Sequence, residues 1–253
     1  MAQLDGKIAL VTGAGRSVGL GIAQELAEAG ASVAVNDLDA ERAQAAVNQI
    51  KPAGGRLIAA PFDVAKLEAV RAGITKIEQE LGPIDILVNN AGIPQGAGAT
   101  GPFVESDPSQ WHFNIDLNLY GSMYCIRTVL PGMAQRGWGR IVQISSGAGS
   151  RGVPNVSIYS AAKAGIEGLL RSVAIEMAQT GVTLNAIALG LMANTGERMG
   201  DSALLQRVFS TIPMGRLGQP REIGACVVWL ASGKAGYMTG QTVHINGGSV
   251  HGR

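Results

Sequence analysis

The chain predicts an α/β fold in which a single open, parallel, doubly wound sheet carries helices on both of its faces. Apolar strand-like runs alternate with helical stretches along the whole sequence, which is the pattern of such a sheet. Several runs are almost continuous Val, Ile, Leu and Ala, as parallel strands buried on both faces require. Hydrophobic residues make up 46% of the 253 residues, enough for one sizeable core. No linker interrupts the alternation, so residues 1–253 are predicted to form a single domain.

Each element follows from a local run of this kind. The predicted strands are residues 7–12, 32–36, 57–61, 84–88, 140–145, 182–187 and 241–245. The predicted helices are residues 18–29, 40–50, 67–81, 110–136, 159–179 and 222–232. Residues 93–109 and 189–218 stay irregular, and long loops at strand ends of such a sheet usually bind ligands.

The turn between the first strand and the first helix is rich in glycine and reads TGAGRSVGLG over residues 12–21. Gly13 and Gly19 permit a tight turn and close packing of helix on strand. Arg16, Ser17 and Val18 complete the turn, where the helix N-terminus offers N–H groups to a pyrophosphate. This strand-turn-helix context predicts a Rossmann-type dinucleotide site.

The second strand ends on Asp37, about 20 residues beyond the glycine turn, where a ribose-binding carboxylate is expected. The alternative is that Asp37 caps the next helix. A carboxylate at this place repels a 2′-phosphate, whereas Arg16 would attract one. Arg16 is the one cation expected to face Asp37 and Asp39, because the first Arg after them is Arg42. The sequence therefore predicts NAD as coenzyme, with NADP disfavoured.

Tyr159 and Lys163 are four residues apart on a predicted helix, so their side chains share one face. An ammonium beside a phenol lowers the pKa of that phenol, and the pair can then act as acid or base. The alternative is a buried Tyr beside a Lys that reaches solvent. Ser146, just beyond a strand end, favours the catalytic interpretation.

Other classes of protein lack support. The net charge of +1 and the 4% of aromatic residues argue against nucleic-acid binding. Neither a signal peptide nor a membrane span is predicted, so we expect a cytoplasmic protein with Cys125 and Cys226 reduced. The three histidines lack metal-ligand spacing, so no metal is expected, and the nucleophile elbow of Ser hydrolases is missing from the sequence.

The whole chain resembles the short-chain dehydrogenases/reductases of about 250 residues. The likeness rests on the glycine turn, on Asn118, on Ser146 with Tyr159-x-x-x-Lys163, and on the Asp63-Val64, NNAG (residues 89–92) and closing motifs through NGG (residues 246–248). The resemblance implies that Asp63 and Val64 contact the adenine and that Asn90, Ala91 and Gly92 line the coenzyme. It also implies that Ile187 and Thr195 lie near the nicotinamide.

The resemblance also implies the catalytic roles. Ser146 would bind the substrate oxygen and Tyr159 would pass the proton. Lys163 would lower the pKa of Tyr159 and hold the nicotinamide ribose, and Asn118 would hold a water of the proton relay. Ser145 is the competing serine, but Ser146 fits the family spacing better.

The sequence departs from the family at two positions. Ser17 stands where Gly is usual, so its Cβ and hydroxyl would either clash with the pyrophosphate or donate a hydrogen bond to it. Leu189 stands where Pro is usual, which restores an N–H at the root of the substrate loop and predicts a more mobile lid.

We expect an NAD(P)-dependent alcohol dehydrogenase or ketone reductase with a hydrophobic substrate, because the lid region is rich in Leu and Met. The alternatives are a 3-oxoacyl-thioester reductase and, from another class, a non-catalytic dinucleotide sensor. Reductases that act on carrier protein often have basic residues where this chain has Gly137 and Thr180, although Arg136 and Arg140 could substitute for them. The resemblance further implies a homotetramer built on the helices at residues 110–136 and 159–179 and on the C-terminal strands.

Overall fold

Seven parallel strands form the centre of the protein. The computed structural model describes residues 2–92, 101–193 and 209–250. The strands lie in the order β3-β2-β1-β4-β5-β6-β7. Their bounds are β1 Ile8–Val11, β2 Ser32–Val35, β3 Leu57–Ala59, β4 Ile86–Asn89, β5 Gly139–Ser146, β6 Val182–Leu189 and β7 Thr242–Ile245. All seven predicted strands are confirmed, and the sheet is doubly wound as predicted.

The helices connect the strands and cover both faces of the sheet. They are α1 Ser17–Glu28, α2 Ala40–Gln49, α3 Leu67–Leu81, α4 Trp111–Ile115, α5 Gly121–Arg136, α6 Gly147–Arg151, α7 Ser157–Glu176 and α8 Pro220–Ala231. Short 3₁₀ turns lie at Phe103–Glu105, Pro108–Gln110 and Gly233–Ala235. No helix in these ranges combines the length and the apolarity that a bilayer crossing needs.

Alternate strand residues divide the core into two layers. On β1, Ala9 and Val11 pack with α1 and α8 on one face, whereas Leu10 packs with α3, α5 and α7 on the other. The same alternation on β5 sends Val142 to the first layer and Ile141 to the second. Burial on both faces explains why the strands are nearly continuous in apolar residues.

Differences from the predicted bounds have local causes. The predicted helix at residues 110–136 is divided by a π-helical turn at Asp116–Tyr120. Helix α8 begins two residues before its predicted start, because Pro220 occupies the first helical position and Gln219 forms a capping box with Glu222. Strand β6 continues to Leu189, which lies opposite Ser146 on β5 and Ile245 on β7. These corrections leave the topology unchanged.

Candidate active site

All candidate residues in the described ranges lie at or beside the carboxyl edge of the sheet, because parallel strands end there together. The glycine turn follows β1 and is braced against the end of β4. The side-chain amide of Asn90 donates to the carbonyls of Thr12 (2.9 Å) and Gly13 (3.0 Å). The hydroxyl of Thr12 accepts from the backbone N–H groups of Asn90 and Ala91. The predicted coenzyme turn is thus tied to the loop that was expected to line the coenzyme.

Close packing at Gly19 explains why the turn needs glycine. A Cβ at Gly19 would lie 2.3 Å from the carbonyl oxygen of Gly13 and 2.5 Å from Nδ2 of Asn90. Ser17, in contrast, carries a Cβ at a position where φ is +53°. Arg16 and Val18 flank Ser17, Arg16 as the residue before the first helical residue and Val18 as a buried residue of α1.

Asn36 is a bracing residue that the sequence analysis missed. Its Oδ1 accepts from the N–H of Gly13, while its Nδ2 donates to the carbonyls of Ala60 (2.9 Å) and Phe62 (3.0 Å). The side chain therefore joins the glycine turn to the segment after β3. The position of Asn36 directly before Asp37 was the one signal in the sequence for this role. Its contacts could not be predicted, because they depend on the order of the strands in the sheet.

Asp37 is buried at the end of β2, with 6% of its surface exposed. Its Oδ2 accepts from the N–H of Gly15, so the carboxylate lies at the glycine turn as predicted. The alternative that Asp37 caps the next helix is wrong, because Asp39 caps α2 through the N–H groups of Glu41 and Arg42. The expectation that Arg16 is the single cation here is also wrong. Arg42 lies 2.7 Å from Asp37 and 3.3 Å from Asp39.

The segment after β3 is organised by a local turn. Asp63 Oδ1 accepts from the N–H of Ala65, and Val64 is buried. Val64 also contacts the helix that follows the π-helical turn, since a Cβ at Gly121 would lie 3.1 Å from its side chain. The contact of these two residues with the adenine stays a prediction.

Ser146, Tyr159 and Lys163 come together between β5 and α7. Ser146 ends β5, and its hydroxyl lies near enough to the phenol of Tyr159 to act on the pKa of that phenol. Lys163 lies one helical turn beyond Tyr159, with Nζ 5.6 Å from the centre of the phenol ring. The same Nζ donates to the carbonyl of Ile144 at 2.9 Å. The spacing on the predicted helix thus gave the correct juxtaposition.

Burial decides the electrostatics of the pair. It raises the pKa of Tyr159, and the nearby hydroxyl of Ser146 opposes that rise only in part. Burial also lowers the pKa of Lys163 to about 8, with Glu167 acting in the opposite direction. Lys163 is not among the causes of this shift, and its amine is bound to the carbonyl of Ile144, so the lowering of the Tyr159 pKa by Lys163 stays a prediction. At neutral pH the phenol is therefore protonated and able to donate.

Asn118 lies in the π-helical turn, where such turns are often functional. It is fully buried, its Nδ2 donates to the carbonyl of Asn114, and its Oδ1 has no partner in the described part of the chain. Oδ1 of Asn118 and Nζ of Lys163 each lie 2.9 Å from the point that a Cβ at Gly92 would occupy. Because residue 92 is glycine, it places no side chain between Oδ1 of Asn118 and Nζ of Lys163.

Ser145 is turned away from this site. Its hydroxyl donates to the carboxylate of Glu167 on α7, and both residues are buried. The choice of Ser146 over Ser145 therefore agrees with the contacts. Glu167 is a second residue that the sequence analysis missed, although it lies four residues after Lys163.

The residues fit a dinucleotide coenzyme. The 12-residue helix α1 begins at the glycine turn with neither a side-chain cap nor an acidic residue in its first turn, within the described residues. Its first N–H groups and its positive dipole end therefore suit a pyrophosphate. The buried carboxylate at β2 and the amine of Lys163 lie at the same sheet edge, where a ribose can be held at each end.

Part of the predicted site falls outside the described ranges. Thr195 lies there, as do Met199, Leu204, Leu205 and Val208 of the predicted lid, so the predicted mobility of the lid stays a prediction. Ile187 is fully buried in the core layer of α1 and α8. Met192 is buried beside Gly218, whereas Leu191 is partly exposed.

Comparison with known proteins places the chain in a family. Residues 13–250 match the family model described as enoyl-(acyl carrier protein) reductase. Nodulation protein G of Azospirillum brasilense is 44% identical over 96% of this chain and 97% of its own. The 3-oxoacyl-[acyl-carrier-protein] reductase of Staphylococcus aureus strain N315 is 40% identical, with 96% and 97% covered. Acetoacetyl-CoA reductase of Rhizobium meliloti is 41% identical, with 96% and 98% covered.

The fold agrees with a solved relative. A crystal structure described as a short-chain alcohol dehydrogenase from Sinorhizobium meliloti 1021 superposes with a TM-score of 0.90 at 35% identity, covering 98% of this chain and 97% of the other. The full-length match in sequence and fold, with the Ser146, Tyr159 and Lys163 arrangement, confirms the resemblance. The chain belongs to the short-chain dehydrogenase/reductase family, whose oxidoreductases act on CH–OH and keto groups with NAD(P).

Proposed function

We propose that this chain interconverts a ketone and a secondary alcohol with a nicotinamide coenzyme. The observation that carries the proposal is the cluster at the end of β5, where the hydroxyl of Ser146 acts on the phenol of Tyr159 and Nζ of Lys163 lies 5.6 Å from the centre of the phenol ring. A protonated phenol next to a second hydroxyl suits the donation of a proton to a carbonyl oxygen.

The residues would share the work as follows. Ser146 binds the substrate oxygen, and Tyr159 gives it a proton in reduction or takes one in oxidation. Lys163, together with a water held by Oδ1 of Asn118, would resupply the proton to Tyr159 in reduction, since the polar atoms of both side chains face the same small space beside Gly92. The bound nicotinamide supplies or accepts the hydride. Three residues separate Tyr159 from Lys163, whereas enoyl-reducing relatives typically have a wider gap, so we favour a carbonyl over a carbon-carbon double bond.

A 3-oxoacyl thioester is the second candidate substrate. It is supported by the names of two relatives, a 3-oxoacyl-[acyl-carrier-protein] reductase and an acetoacetyl-CoA reductase. The idea that Arg140 replaces a carrier-binding cation is wrong, because Arg140 is 5% exposed and donates to the carbonyls of Gly139 and Gly181. Arg136 is exposed, but one of its Nη atoms donates to the carbonyl of Ile84. We therefore favour a free ketone or a CoA thioester over a substrate attached to carrier protein.

The test is a screen of purified enzyme in both directions and with both coenzymes. The panel contains aliphatic, aromatic and steroid ketones and alcohols, together with 3-oxoacyl and 3-hydroxyacyl groups on CoA and on carrier protein. We expect turnover of a hydrophobic ketone or a CoA thioester. Tight coenzyme binding without turnover of any member would contradict the proposal and favour a sensor.

For the coenzyme we propose NAD(H) over NADP(H). The support is the position of the Asp37 carboxylate at the glycine turn. The excess of negative charge expected from Asp37 and Asp39 gives no further support, because Arg42 pairs with Asp37. A 2′-phosphate would lie against a buried carboxylate and lose affinity.

The coenzyme prediction is tested by kcat/KM with each coenzyme at a fixed substrate concentration. We expect wild type to favour NAD(H) and Asp37→Ala to narrow or reverse the ratio, because this change leaves Arg16 and Arg42 without the opposing carboxylate. Arg42→Ala is the matched control and should widen the preference for NAD(H). A wild-type preference for NADP(H) would overturn the prediction.

We also propose a homotetramer located in the cytoplasm. A groove of about 710 Å³ runs between α3, the π-helical turn, α5 and α7, lined by apolar side chains such as Met123, Leu169 and Val173. Arg127 and Glu176 lie in the same groove, so its charges can pair with those of a second copy across a two-fold axis. The location is supported by Cys125 and Cys226, which are free thiols.

A further inference from the structure

Glu167 is a buried acid that the proposed reaction does not use. It lies on α7, where Tyr159, Lys163 and Glu167 follow one another at intervals of four residues and so share one face of the helix. Only 7% of its surface is exposed. An acid is rarely buried to this degree unless it has a partner, so its role requires an explanation.

The contacts of Glu167 and Lys163 clamp β5 to α7. The hydroxyl of Ser145 donates to the carboxylate of Glu167, and the amine of Lys163 donates to the carbonyl of Ile144. Ile144 and Ser145 directly precede Ser146 on β5. The two polar side chains of α7 thereby fix the strand residues that lead into the catalytic serine.

The charge of Glu167 acts on Lys163. A buried ammonium is costly without an opposite charge, and burial lowers the pKa of Lys163 to about 8 while Glu167 opposes that change. Among the described residues, Glu167 is the one charged group that causes a shift in this pKa.

The other groups around α7 lack this influence. Helix α7 itself carries Tyr159, Arg171 and Glu176. The elements packed against it carry His112, Asp116, Tyr120, Arg140 and Arg151. None of these is a cause of the shift at Lys163. Strand β6 and the Gly92 segment bring no charged side chain to this face.

We propose that Glu167 is a positioning residue, whose carboxylate is fixed against β5 by Ser145 and keeps Lys163 charged one helical turn away. The inference rests on the proposed function, because the charge on Lys163 matters to turnover only if Tyr159 transfers the proton. Glu167 itself would touch neither substrate nor coenzyme.

The first test is the pH profile of kcat/KM for ketone reduction in wild type and Glu167→Gln. Gln keeps the size of the side chain and an oxygen that accepts from Ser145, but it lacks the charge. We expect the alkaline limb to move to lower pH by about one pH unit, which is an approximately tenfold loss of kcat/KM on that limb. Glu167→Asp should restore much of the wild-type profile.

Ser145→Ala is the matched control, because it removes the same hydrogen bond and leaves the carboxylate. Its alkaline limb should stay where the wild-type limb lies, even if its stability falls. A limb displaced as far as that of Glu167→Gln, although the carboxylate is retained, would mean that the charge is not responsible, which would overturn the proposal.

The second test measures unfolding and uses neither coenzyme nor substrate. The pKa of Lys163 is lower in the folded than in the unfolded protein, so the unfolded state binds more protons between these two values and stability rises with pH there. For wild type this rise in stability begins near pH 8, the pKa of Lys163 in the folded protein. In Glu167→Gln it should begin at lower pH, which a difference curve of unfolding free energy against pH would reveal.

The outcomes separate this inference from the proposed function. Tyr159→Phe with near-normal turnover would contradict the proposed function, whatever Glu167 does. An inactive Tyr159→Phe together with superimposable profiles and unfolding curves for wild type and Glu167→Gln would overturn the inference alone. If Glu167→Gln does not fold, Ser145→Ala carries the test, because it keeps the carboxylate, and an alkaline limb displaced by about one pH unit in this variant would contradict the role of the charge.

Discussion

At the scale of single residues, Ser17 is the clearest conflict between a side chain and its backbone. It begins α1 with φ at +53°, a conformation that suits glycine, and glycine is the usual residue of the family at this position. In the described part of the chain its hydroxyl has no hydrogen-bond partner to offset the strain. A non-glycine residue in this conformation costs about 1–3 kcal/mol, so Ser17 lowers the free energy of unfolding of the protein.

Ser17→Gly should therefore stabilise the protein by about 1 kcal/mol, since relief of the strain exceeds the entropy that glycine loses on folding. The measurement is urea unfolding at fixed protein concentration. Ser17→Ala is the control, because it keeps the Cβ and removes only the hydroxyl, and it should bring no such gain. A Ser17→Gly variant no more stable than wild type would contradict the strain.

Residues whose partners are set by sequence spacing could be predicted, and those whose partners come from another element could not. Tyr159 and Lys163 share a helix face, so their proximity follows from the helical repeat alone. Glu167 obeys the same spacing, but its partner Ser145 lies on β5 and the pairing depends on how α7 crosses that strand. The same limit applies to Arg42 and Asp37, whose ion pair was missed although only four residues lie between them.

At the scale of elements, hydrophobic periodicity and composition predicted the succession of strands and helices along the chain. Local hydrogen bonds decided where each element begins and ends. The apolar pattern of residues 110–136 continues across the π-helical turn, so it gave no sign that Asn118 lies in a wider turn. Helix α6 was missed because its five residues, Gly147–Arg151, are too few to show a helical period. Ser146 caps this helix by accepting from Ala148, so one residue serves both a helix start and the site.

Gly19→Ala tests the packing of the glycine turn on α1. The new Cβ would meet backbone atoms of Gly13 and Ala14 at 2.3 and 2.8 Å, which cannot move aside as a flexible side chain would. We expect a loss of about 2 kcal/mol in unfolding free energy, as for other overpacked sites, and at least a tenfold weaker coenzyme affinity by calorimetry.

Gly168→Ala on α7 is the control for a glycine replacement in a helix. Its nearest neighbour would be a side-chain nitrogen of Arg171 at 3.8 Å, so this variant should keep or gain stability. Equal behaviour of the two variants would contradict the argument that close packing fixes Gly19.

At the scale of the whole molecule, one end of the sheet gathers the site and one lateral face is apolar. The groove along α3, α5 and α7 lies on the side of the core that α7 covers. Helix α7 therefore both lines the proposed interface and carries Tyr159. The C-terminal part exposes further large side chains, Trp229 and Tyr237 among them. The resemblance implied that this helix takes part in assembly, but the shape of the groove follows only from the fold.

Light scattering at micromolar concentration should give the mass of a tetramer of 26.0 kDa chains. Val173→Glu should shift the protein to smaller species, because a charge in the groove loses its hydration on assembly. Ile175→Glu is the control, since Ile175 lies on the same helix outside the groove and is 78% exposed. A monomeric wild type would rule out the assembly.

The measurement that tests the central claim most directly is the turnover of Tyr159→Phe beside its coenzyme affinity. Phe keeps the ring between Ser146 and Lys163 and removes the one proton that the phenol can transfer. We expect coenzyme to bind as in wild type while kcat falls by a factor of roughly 10² to 10⁴, the contribution of a positioned acid-base group. Near-normal turnover in the folded, coenzyme-binding variant would contradict the account.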